Sequence, residues 1–209
     1  MKNKAVIFDL DGTLWSTSSQ IVPAWNQVLA RKGLPSVTVE QMNSFMGKTP
    51  DMIAAMMLPD MEHEKAMRVF AECCVEENTY LAAHGGLLYP GLADTLAGLG
   101  REFLLAVVSN CATDYLDIFL DYHGLRNYFD DHECYGGTGL PKSQNIRLVM
   151  ERNHLASAVY VGDTELDRAA AEKAGVPFIW AAYGFGREIS AAAVIHSVTE
   201  LPRVVRRVL

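Results

Sequence analysis

The sequence predicts an α/β fold, in which a parallel sheet with helices on its faces is interrupted by a block of helices. Three observations lead to this prediction. The apolar run at 5–8, continued by Leu10, is typical of a strand that is buried on both faces. Beyond residue 90, short apolar runs alternate with helical patterns, which indicates successive βα units and therefore parallel strands. Residues from about 16 to 86 show helical patterns alone.

The strands after residue 90 are short and apolar, as expected for the centre of a parallel sheet. The runs between them have the spacing of amphipathic helices. The predicted strands lie at 103–110, 158–163 and 177–184, with a weaker one at 133–137.

The first strand belongs in the same sheet as the later ones, so we expect two domains. The core is formed by residues 1–15 and 87–209, and a helical cap domain is formed by 16–86. Start and stop signals predict four helices in the cap. These signals are, in chain order, Ile21 with Gly33, Thr38 with Gln41, Thr49 with Pro50, and an amphipathic segment from about 61 to 83 before Gly85.

Length, charge and cysteine content narrow the class of protein. A chain of 209 residues can bury a substantial core. Its net charge of −7 argues against nucleic acid or an anionic membrane as the main partner. The first apolar run is short and is broken by Asp9, so neither a signal peptide nor a membrane-spanning helix is predicted. Cysteines without metal-ligand spacing favour reduced thiols, and we expect a cytoplasmic protein of unspecified oligomeric state.

Two acids, Asp9 and Asp11, follow the first strand directly. Side chains two positions apart on a strand point the same way, so the two carboxylates are expected to project together. Ligands of open α/β sheets bind beyond the carboxyl ends of the strands, which is where this pair lies. Because like charges repel, the pair predicts either a cation between them or a shared proton.

Polar residues at the ends of three strands, together with one lysine, carry a resemblance to a known family. The motifs are "DLDGTL" at 9–14, "VVSN" at 107–110, Lys142 ahead of a helix, and "VYVGDTELDRAAAEKAG" at 159–175. In this order they resemble the four motifs of the haloacid dehalogenase (HAD) superfamily, and in particular its phosphoglycolate-phosphatase-like subgroup. The resemblance implies a Rossmann-like parallel sheet core with an inserted α-helical cap domain.

The resemblance implies a role for each residue of the first motif. Asp9 is the expected nucleophile, which would form an aspartyl-phosphate. Asp11 is expected to protonate the leaving alcohol and then to activate the water that cleaves the intermediate. Gly12 would allow a tight turn past the phosphate, and Thr13 would offer its hydroxyl.

The second and third motifs are expected to hold the phosphate. By resemblance, Ser109 would donate a hydrogen bond to a phosphoryl oxygen, with the backbone or amide of Asn110 nearby. Lys142 would supply a fixed positive charge. Relatives usually carry proline after this lysine, whereas here Pro141 precedes it and Ser143 follows. The direction from which Lys142 approaches is therefore not predicted.

The fourth motif is expected to complete a Mg²⁺ site. By resemblance, the ligands are the carboxylates of Asp9 and Asp163 and the backbone carbonyl of Asp11. Oxygen ligands of this kind suit Mg²⁺, which is usually held by one or two carboxylates and substrate phosphate. Asp167 would support the metal or steady the lysine, although Thr164 and Asp167 also have the spacing of a helix N-terminus.

Two places next to the predicted site have an open role. In this family a cap loop in the position of Met46, Gly47 and Lys48 faces the substrate, which makes Lys48 a candidate contact for substrate charge. Trp15 directly follows the first motif, and it either lines the entrance or packs under the cap.

The sequence therefore predicts a Mg²⁺-dependent phosphatase that hydrolyses a small-molecule phosphate ester. A sugar phosphomutase of the same superfamily remains an alternative, since it shares the core motifs. A dehalogenase does not need a second acid, so Asp11 counts against it. A non-catalytic phosphate- or partner-binding module is the alternative from another class. The substrate is not predicted, because the discriminating residues lie in the cap.

Overall fold

The computed structural model describes residues 2–209, so residue 1 of the predicted core lies outside the described residues. The strands are β1 (Lys4–Phe8), β2 (Trp15–Ser16), β3 (Leu87–Leu88), β4 (Leu104–Ser109), β5 (Asp131–Cys134), β6 (Ser157–Gly162), β7 (Phe178–Ala181) and β8 (Ala193–Ile195). All of them except β2 and β3 belong to one six-stranded parallel sheet. Their spatial order is β5-β4-β1-β6-β7-β8, which places β1 between β4 and β6.

The α-helices fall into two groups. Four lie between β2 and β3, and the others alternate with the later strands or follow the last one. The helices are α1 (Ser18–Arg31), α2 (Val39–Phe45), α3 (Pro50–Met57), α4 (His63–His84), α5 (Leu92–Leu99), α6 (Thr113–Tyr122), α7 (Tyr135–Thr138), α8 (Lys142–Arg152), α9 (Glu165–Ala174) and α10 (Leu201–Val208).

The chain enters the block of helices α1 to α4 through β2 and leaves it through β3. These two strands pair antiparallel, with Trp15 opposite Leu88 and Ser16 opposite Leu87. Thr38 forms the predicted capping box of α2, in which its hydroxyl accepts a hydrogen bond from the Gln41 backbone N–H. The buried face of α1 packs against α4, so these helices share an apolar interior that continues onto the sheet.

The sheet has a separate apolar cluster on each face. One cluster includes Phe8, Val107 and Val161 and continues into the α1–α4 block. The other includes Ile7 and Tyr160 and is covered by α8 and α9. Alternate residues of the central strands therefore serve opposite faces, which is why those strands are apolar throughout.

The predicted α/β fold is confirmed, with two differences in the sheet. The weak strand at 133–137 is displaced: β5 starts earlier, at Asp131, and Tyr135–Thr138 is a short helix. The edge strand β8 was not predicted, because three residues are too few to show a period. Among residues 2–209, no helix is both long and apolar enough to span a membrane.

Candidate active site

The carboxyl ends of the central strands bring the predicted site residues together. Asp9 directly follows β1, Ser109 ends β4, and Asp163 directly follows β6. All three are at least nine-tenths buried. Because β1 lies between β4 and β6, the three side chains emerge at neighbouring points of one edge of the sheet.

Lys142, the first residue of α8, connects two of the acids. Its Nζ donates to Asp9 Oδ1 at 2.8 Å and to Asp167 Oδ1 at 2.6 Å. Burial alone lowers the pKa of this ammonium, but the carboxylates of Asp167 and Asp9 outweigh that effect and raise it. Lys142 is therefore a permanently charged donor. Lys142 follows Pro141 at the start of the helix, and from there its Nζ reaches Asp9.

Asp9 has one oxygen held and one oxygen free. Oδ1 accepts the Lys142 hydrogen bond, whereas Oδ2 is buried and has no hydrogen-bond partner among residues 2–209. Burial is the main reason that the pKa of Asp9 rises to about 7, with Asp167 adding to the rise and Lys142 opposing it. A buried carboxylate oxygen without a partner is costly, so this atom is suited to an external cation or electrophile.

The side chain of Asp11 is held through a single oxygen. Its Oδ1 accepts from Tyr115 Oη at 2.6 Å, Trp15 Nε1 at 3.0 Å and Thr17 Oγ1 at 3.5 Å. Burial raises the pKa of Asp11 to about 6, against the lowering effect of the hydrogen bonds from Tyr115 and Trp15. Because Oδ1 takes all three of these bonds, Oδ2 is the atom left to carry a proton.

Asp163 is enclosed by a glycine-rich loop. Its Oδ2 accepts from the Phe185 backbone N–H at 2.7 Å, and its Oδ1 accepts from Thr13 Oγ1 at 3.4 Å. Gly12 has a φ of +79°, and a Cβ at this position would lie 2.3 Å from Asp163 Oδ2. Gly12 is therefore required both for its backbone conformation and for the close approach of Asp163.

Asp167 contacts both Lys142 and the start of α9. Its Oδ1 accepts from Lys142, and its Oδ2 accepts from the Thr164 backbone N–H at 2.9 Å and from Thr164 Oγ1 at 2.6 Å. The Thr164 hydroxyl in turn accepts from the Asp167 backbone N–H, which completes the capping box of α9. The helix start thus orients the carboxylate that fixes Lys142.

Three of these acids form a group suited to a metal ion. Ligand atoms from Asp9, Asp163 and Asp167 all lie within 4.8 Å of one another. The oxygens of Asp167 already accept from Lys142 and Thr164, whereas Asp9 Oδ2 is free of protein partners among residues 2–209. The donor set consists of carboxylate oxygens, which hard divalent cations prefer.

A cavity of about 110 Å³ lies between the strand ends and the helices α1 to α4. Asp11, Ser109 and Asn110 form part of its wall from the sheet side, and Lys48 contributes from the loop after α2. Asn110 Nδ2 donates to the Gly47 backbone carbonyl at 2.8 Å, so its amide nitrogen is engaged with that loop. Lys48 Nζ donates to the Ser44 carbonyl at 2.6 Å.

Trp15 packs under the helical block and does not line the cavity. Its side chain is fully buried, and its ring contacts Tyr115, Phe119 and His123 edge-on. Of the two roles considered for Trp15, the structure therefore supports packing, together with a hydrogen bond to Asp11.

Three functional features were missed by sequence reasoning. Tyr115, which donates to Asp11, looked like an ordinary apolar-face residue of α6. The loop around Phe185 could have been recognised from the sequence, because Gly184 and Gly186 flank this residue shortly after a predicted strand. Glu77 could also have been recognised, because this acid occupies a position of the apolar stripe of α4, between Cys73 and Leu81.

Comparison with known proteins gives a consistent picture. The chain is 29% identical to a phosphoglycolate phosphatase of Rhodobacter capsulatus, with 96% of each chain aligned. It is 28% identical to a phosphoglycolate phosphatase of Vibrio parahaemolyticus, over 97% of this chain and 96% of that protein. Both relatives are therefore aligned over nearly their whole length.

Solved structures share the fold. A predicted phosphatase from Clostridium acetobutylicum superposes with a TM-score of 0.81 at 26% identity, covering 99% of this chain and all of that one. A haloacid dehalogenase-like family hydrolase from Streptococcus pneumoniae gives 0.80 at 22% identity, covering 96% and 97%. The family model of haloacid dehalogenase-like hydrolases matches residues 6–181, a span that contains Asp9, Asp11, Asp163 and Asp167. This protein belongs to the haloacid dehalogenase-like hydrolase family.

Proposed function

We propose that this protein is a Mg²⁺-dependent phosphatase that hydrolyses a small-molecule phosphomonoester through an aspartyl-phosphate on Asp9. The observation that carries the proposal is the state of Asp9, a buried carboxylate with Oδ1 fixed by Lys142 and Oδ2 without a partner among residues 2–209. The relatives named phosphoglycolate phosphatase support the same reaction class.

In the first step, a carboxylate oxygen of Asp9 bonds to phosphorus as the bond between phosphorus and the alcohol oxygen breaks. Asp11 gives its proton to the departing alkoxide, which leaves as the alcohol. A pKa of about 6 keeps the protonated form of Asp11 accessible near neutral pH. The hydrogen bonds from Tyr115, Trp15 and Thr17 hold Oδ1, so that Oδ2 is the oxygen that exchanges the proton.

In the second step, water attacks the phosphorus of the aspartyl-phosphate, and the bond to the Asp9 oxygen breaks. Asp11, now ionised, takes the proton from that water, and inorganic phosphate leaves. Lys142 keeps its charge throughout and offsets the charge on the phosphoryl oxygens. We assign phosphoryl hydrogen bonds to Ser109, Thr13 and the Asn110 backbone, and the tight turn to Gly12.

The proposed Mg²⁺ ligands are the carboxylates of Asp9 and Asp163 and the backbone carbonyl of Asp11. The carboxylate-only donor set fits such an ion. When bound, Mg²⁺ would neutralise charge on the acids and on the phosphate. Asp167 and Thr164 are proposed to support this site by fixing Lys142 and the start of α9.

We further propose that residues 16–86 act as a cap domain over a core of residues 1–15 and 87–209. The short ladder between Trp15–Ser16 and Leu87–Leu88 supports this division, because the chain crosses only there. A cap that covers the strand ends would exclude water from the reaction and contact the leaving group. The proposed partner is a small phosphate ester rather than nucleic acid, in keeping with the net charge of −7. A cytoplasmic location fits the free cysteines.

The test is the release of inorganic phosphate from an aryl phosphate by the purified protein, with and without Mg²⁺, alongside Asp9→Asn. We expect metal-dependent release that the variant loses by about a thousandfold or more. A panel of phosphometabolites that includes 2-phosphoglycolate would follow. Equal inactivity of wild type and variant on both the aryl phosphate and the panel would overturn the proposal.

A further inference from the structure

The cap side of the cavity contains one buried acid, Glu77. It lies on α4 within the stripe that includes Phe70, Cys73 and Leu81, and only 7% of its surface is exposed. Its side chain forms part of the cavity wall, opposite Asp11 and Ser109. An ionisable group at a position that packing would fill with an apolar residue needs an explanation.

Only one of the two carboxyl oxygens of Glu77 has a hydrogen-bond partner among residues 2–209. Its Oε2 accepts from Trp25 Nε1 at 2.6 Å, whereas Oε1 has no hydrogen bond to residues 2–209. Two cations at the end of the facing helix α1 are paired with other acids of α4, since Arg31 pairs with Glu76 and Lys32 with Glu72. Oε1 is thus an open polar atom on the cavity wall.

Apart from Glu77, Asn78 and Lys48, the cap wall is largely apolar. Trp25, Phe45 and Phe70 form an aromatic group in which Trp25 contacts the other two rings. Lys48 is the one cation of the wall, and its Nζ already donates to the Ser44 carbonyl. A leaving group that enters this space meets hydrocarbon on most sides, together with the free carboxyl oxygen of Glu77 and the amide of Asn78.

Glu77 has little positive charge around it. Burial raises the pKa of Glu77 to about 8, against the lowering effect of the hydrogen bond from Trp25, and the charge of Asp11 adds to the rise. The neutral acid can exchange a hydrogen bond with a hydroxyl through Oε1, and an ammonium placed at Oε1 would favour the ionised form. The other titratable groups that sense Glu77 are Tyr115, Cys73 and Cys74, none of them a cation. A substrate carboxylate placed here would lose its hydration beside the charge of Asp11, and Lys48 is the one cation of the wall.

We infer that Glu77 is a specificity-determining residue that binds a hydrogen-bond donor, a hydroxyl or an ammonium, at the far end of the leaving alcohol. The alcohol would have an apolar middle part that packs on Trp25, Phe45 and Phe70. This inference rests on the proposed function, because it places the phosphate at Asp9 and the alcohol in the cavity. It also implies that 2-phosphoglycolate, which ends in a carboxylate, is a poor substrate.

The test uses Glu77→Gln with a matched series of alkyl phosphates. Each ester ends in a methyl, hydroxyl, ammonium or carboxylate group, at several chain lengths. Glutamine keeps an oxygen for Trp25 and places an NH₂ group where the free oxygen was, so it preserves the structural contact. Glu76→Gln, which alters the exposed neighbour on the same helix, is the control.

At the chain length that reaches Glu77, we expect wild type to prefer donor-terminated esters over the methyl ester, and the carboxylate ester to rank last. Glu77→Gln should lower kcat/KM for the ammonium ester about tenfold or more and leave the methyl ester within about twofold. A larger loss for ammonium than for hydroxyl would mean that Glu77 binds as a carboxylate. Equal losses would mean that it binds as the neutral acid.

The inference is overturned if Glu77→Gln changes all four classes of ester equally, or if the carboxylate ester is the best substrate. Calorimetric binding of the corresponding non-hydrolysable alkylphosphonates to wild type and Glu77→Gln separates this inference from the proposed function. Donor-dependent binding that needs Glu77, in a protein that hydrolyses no ester, would uphold the subsite and remove the phosphatase. Hydrolysis of the esters at rates that Glu77→Gln does not change would uphold the phosphatase and remove the subsite.

Discussion

The sheet edge and the helical wall opposite it hold buried charge in different ways. At the sheet edge, Asp9 and Asp167 share one ammonium, and the second oxygen of Asp167 is bound by Thr164. On the helical wall, Glu77 has a single hydrogen bond, from Trp25. The first arrangement fixes charges in place, as a site for one invariant group requires. The second leaves an acid whose charge depends on what enters, which suits a group that differs between substrates.

The largest effect is expected where the fixed charge is removed. Lys142→Met leaves Asp9 and Asp167 buried together without a cation, and it removes the donor to the phosphate. We expect kcat for aryl phosphate hydrolysis to fall by about 10²- to 10³-fold. Steady-state kinetics on folded protein, checked by circular dichroism, would measure this.

The matched substitution on the other wall is Lys48→Met. Its ammonium is half-exposed and bound to the Ser44 carbonyl, so we expect a change of less than about tenfold, mainly in KM. A loss as large as that of Lys142→Met would show that catalysis depends equally on the cations of both walls.

A smaller loss is expected from crowding the loop beside Asp163. A Cβ at Gly184 would lie 2.4 Å from the Asp163 Cβ and 2.5 Å from the Gly12 carbonyl oxygen. Gly184→Ala must therefore displace backbone or the Asp163 side chain. We expect a loss of about 1–3 kcal/mol in the free energy of unfolding, together with reduced activity. Chemical denaturation would measure the stability.

Gly98→Ala is the control for this substitution, because a Cβ there meets nothing within 4 Å. Gly98 lies in α5, where alanine is expected to stabilise the protein by about 0.5–1 kcal/mol. If Gly184→Ala were equally harmless, the close packing of the loop on Asp163 would not be needed.

Tyr115→Phe tests the hydrogen bonding of Asp11 at the boundary between the walls. It removes the shortest hydrogen bond to Asp11 Oδ1 and keeps the ring that packs on Trp15. Because the loss of one hydrogen bond to a charged group costs about 1.5 kcal/mol or more, we expect kcat to fall about tenfold. Tyr122→Phe, on the exposed side of the same helix, should have kcat close to that of wild type.

The smallest effect is a pH-dependent gain in stability from Glu77→Gln. Burial raises the pKa of Glu77 from its ordinary value of 4.5 to about 8, so the folded state keeps a proton that the unfolded state has lost. The contribution of this proton to the stability of wild type is fully present below pH 4.5 and is lost as pH rises through 8. Glutamine does not titrate, so the stability of the variant relative to wild type should rise from about pH 5 to about pH 8 and then level off.

Thermal or chemical unfolding of both proteins across that pH range would measure the difference. Glu76→Gln controls for the removal of any carboxylate from α4, with an expected change within about 0.5 kcal/mol. A flat difference between Glu77→Gln and wild type would show that Glu77 is ionised in the folded protein throughout.

Much of the sheet edge was predictable because its signals are local. The strands at 103–110 and 158–163 follow from runs of apolar residues, and the polar residues that end them, Ser109 with Asn110 and Asp163, stand out against those runs. The capping spacing of Thr164 and Asp167 is equally local, and the structure contains that capping box. Lys142 was predicted by its place in the series of motifs, and the resemblance gave Asp167 as a residue that steadies it. The hydrogen bond from Lys142 to Asp9 was not predicted, since it joins distant parts of the chain.

By itself, the sequence determined the α/β class, the helical block after the first strand and the presence of acids at strand ends. These features depend on periodicity and on neighbours a few residues apart. Only the tertiary structure decided that Tyr115 holds Asp11 and that Glu77 faces the cavity with a free oxygen. Burial and hydrogen-bond partners arise when helices and strands distant in sequence pack together, and these long-range contacts set the pKa values of Asp11 and Glu77.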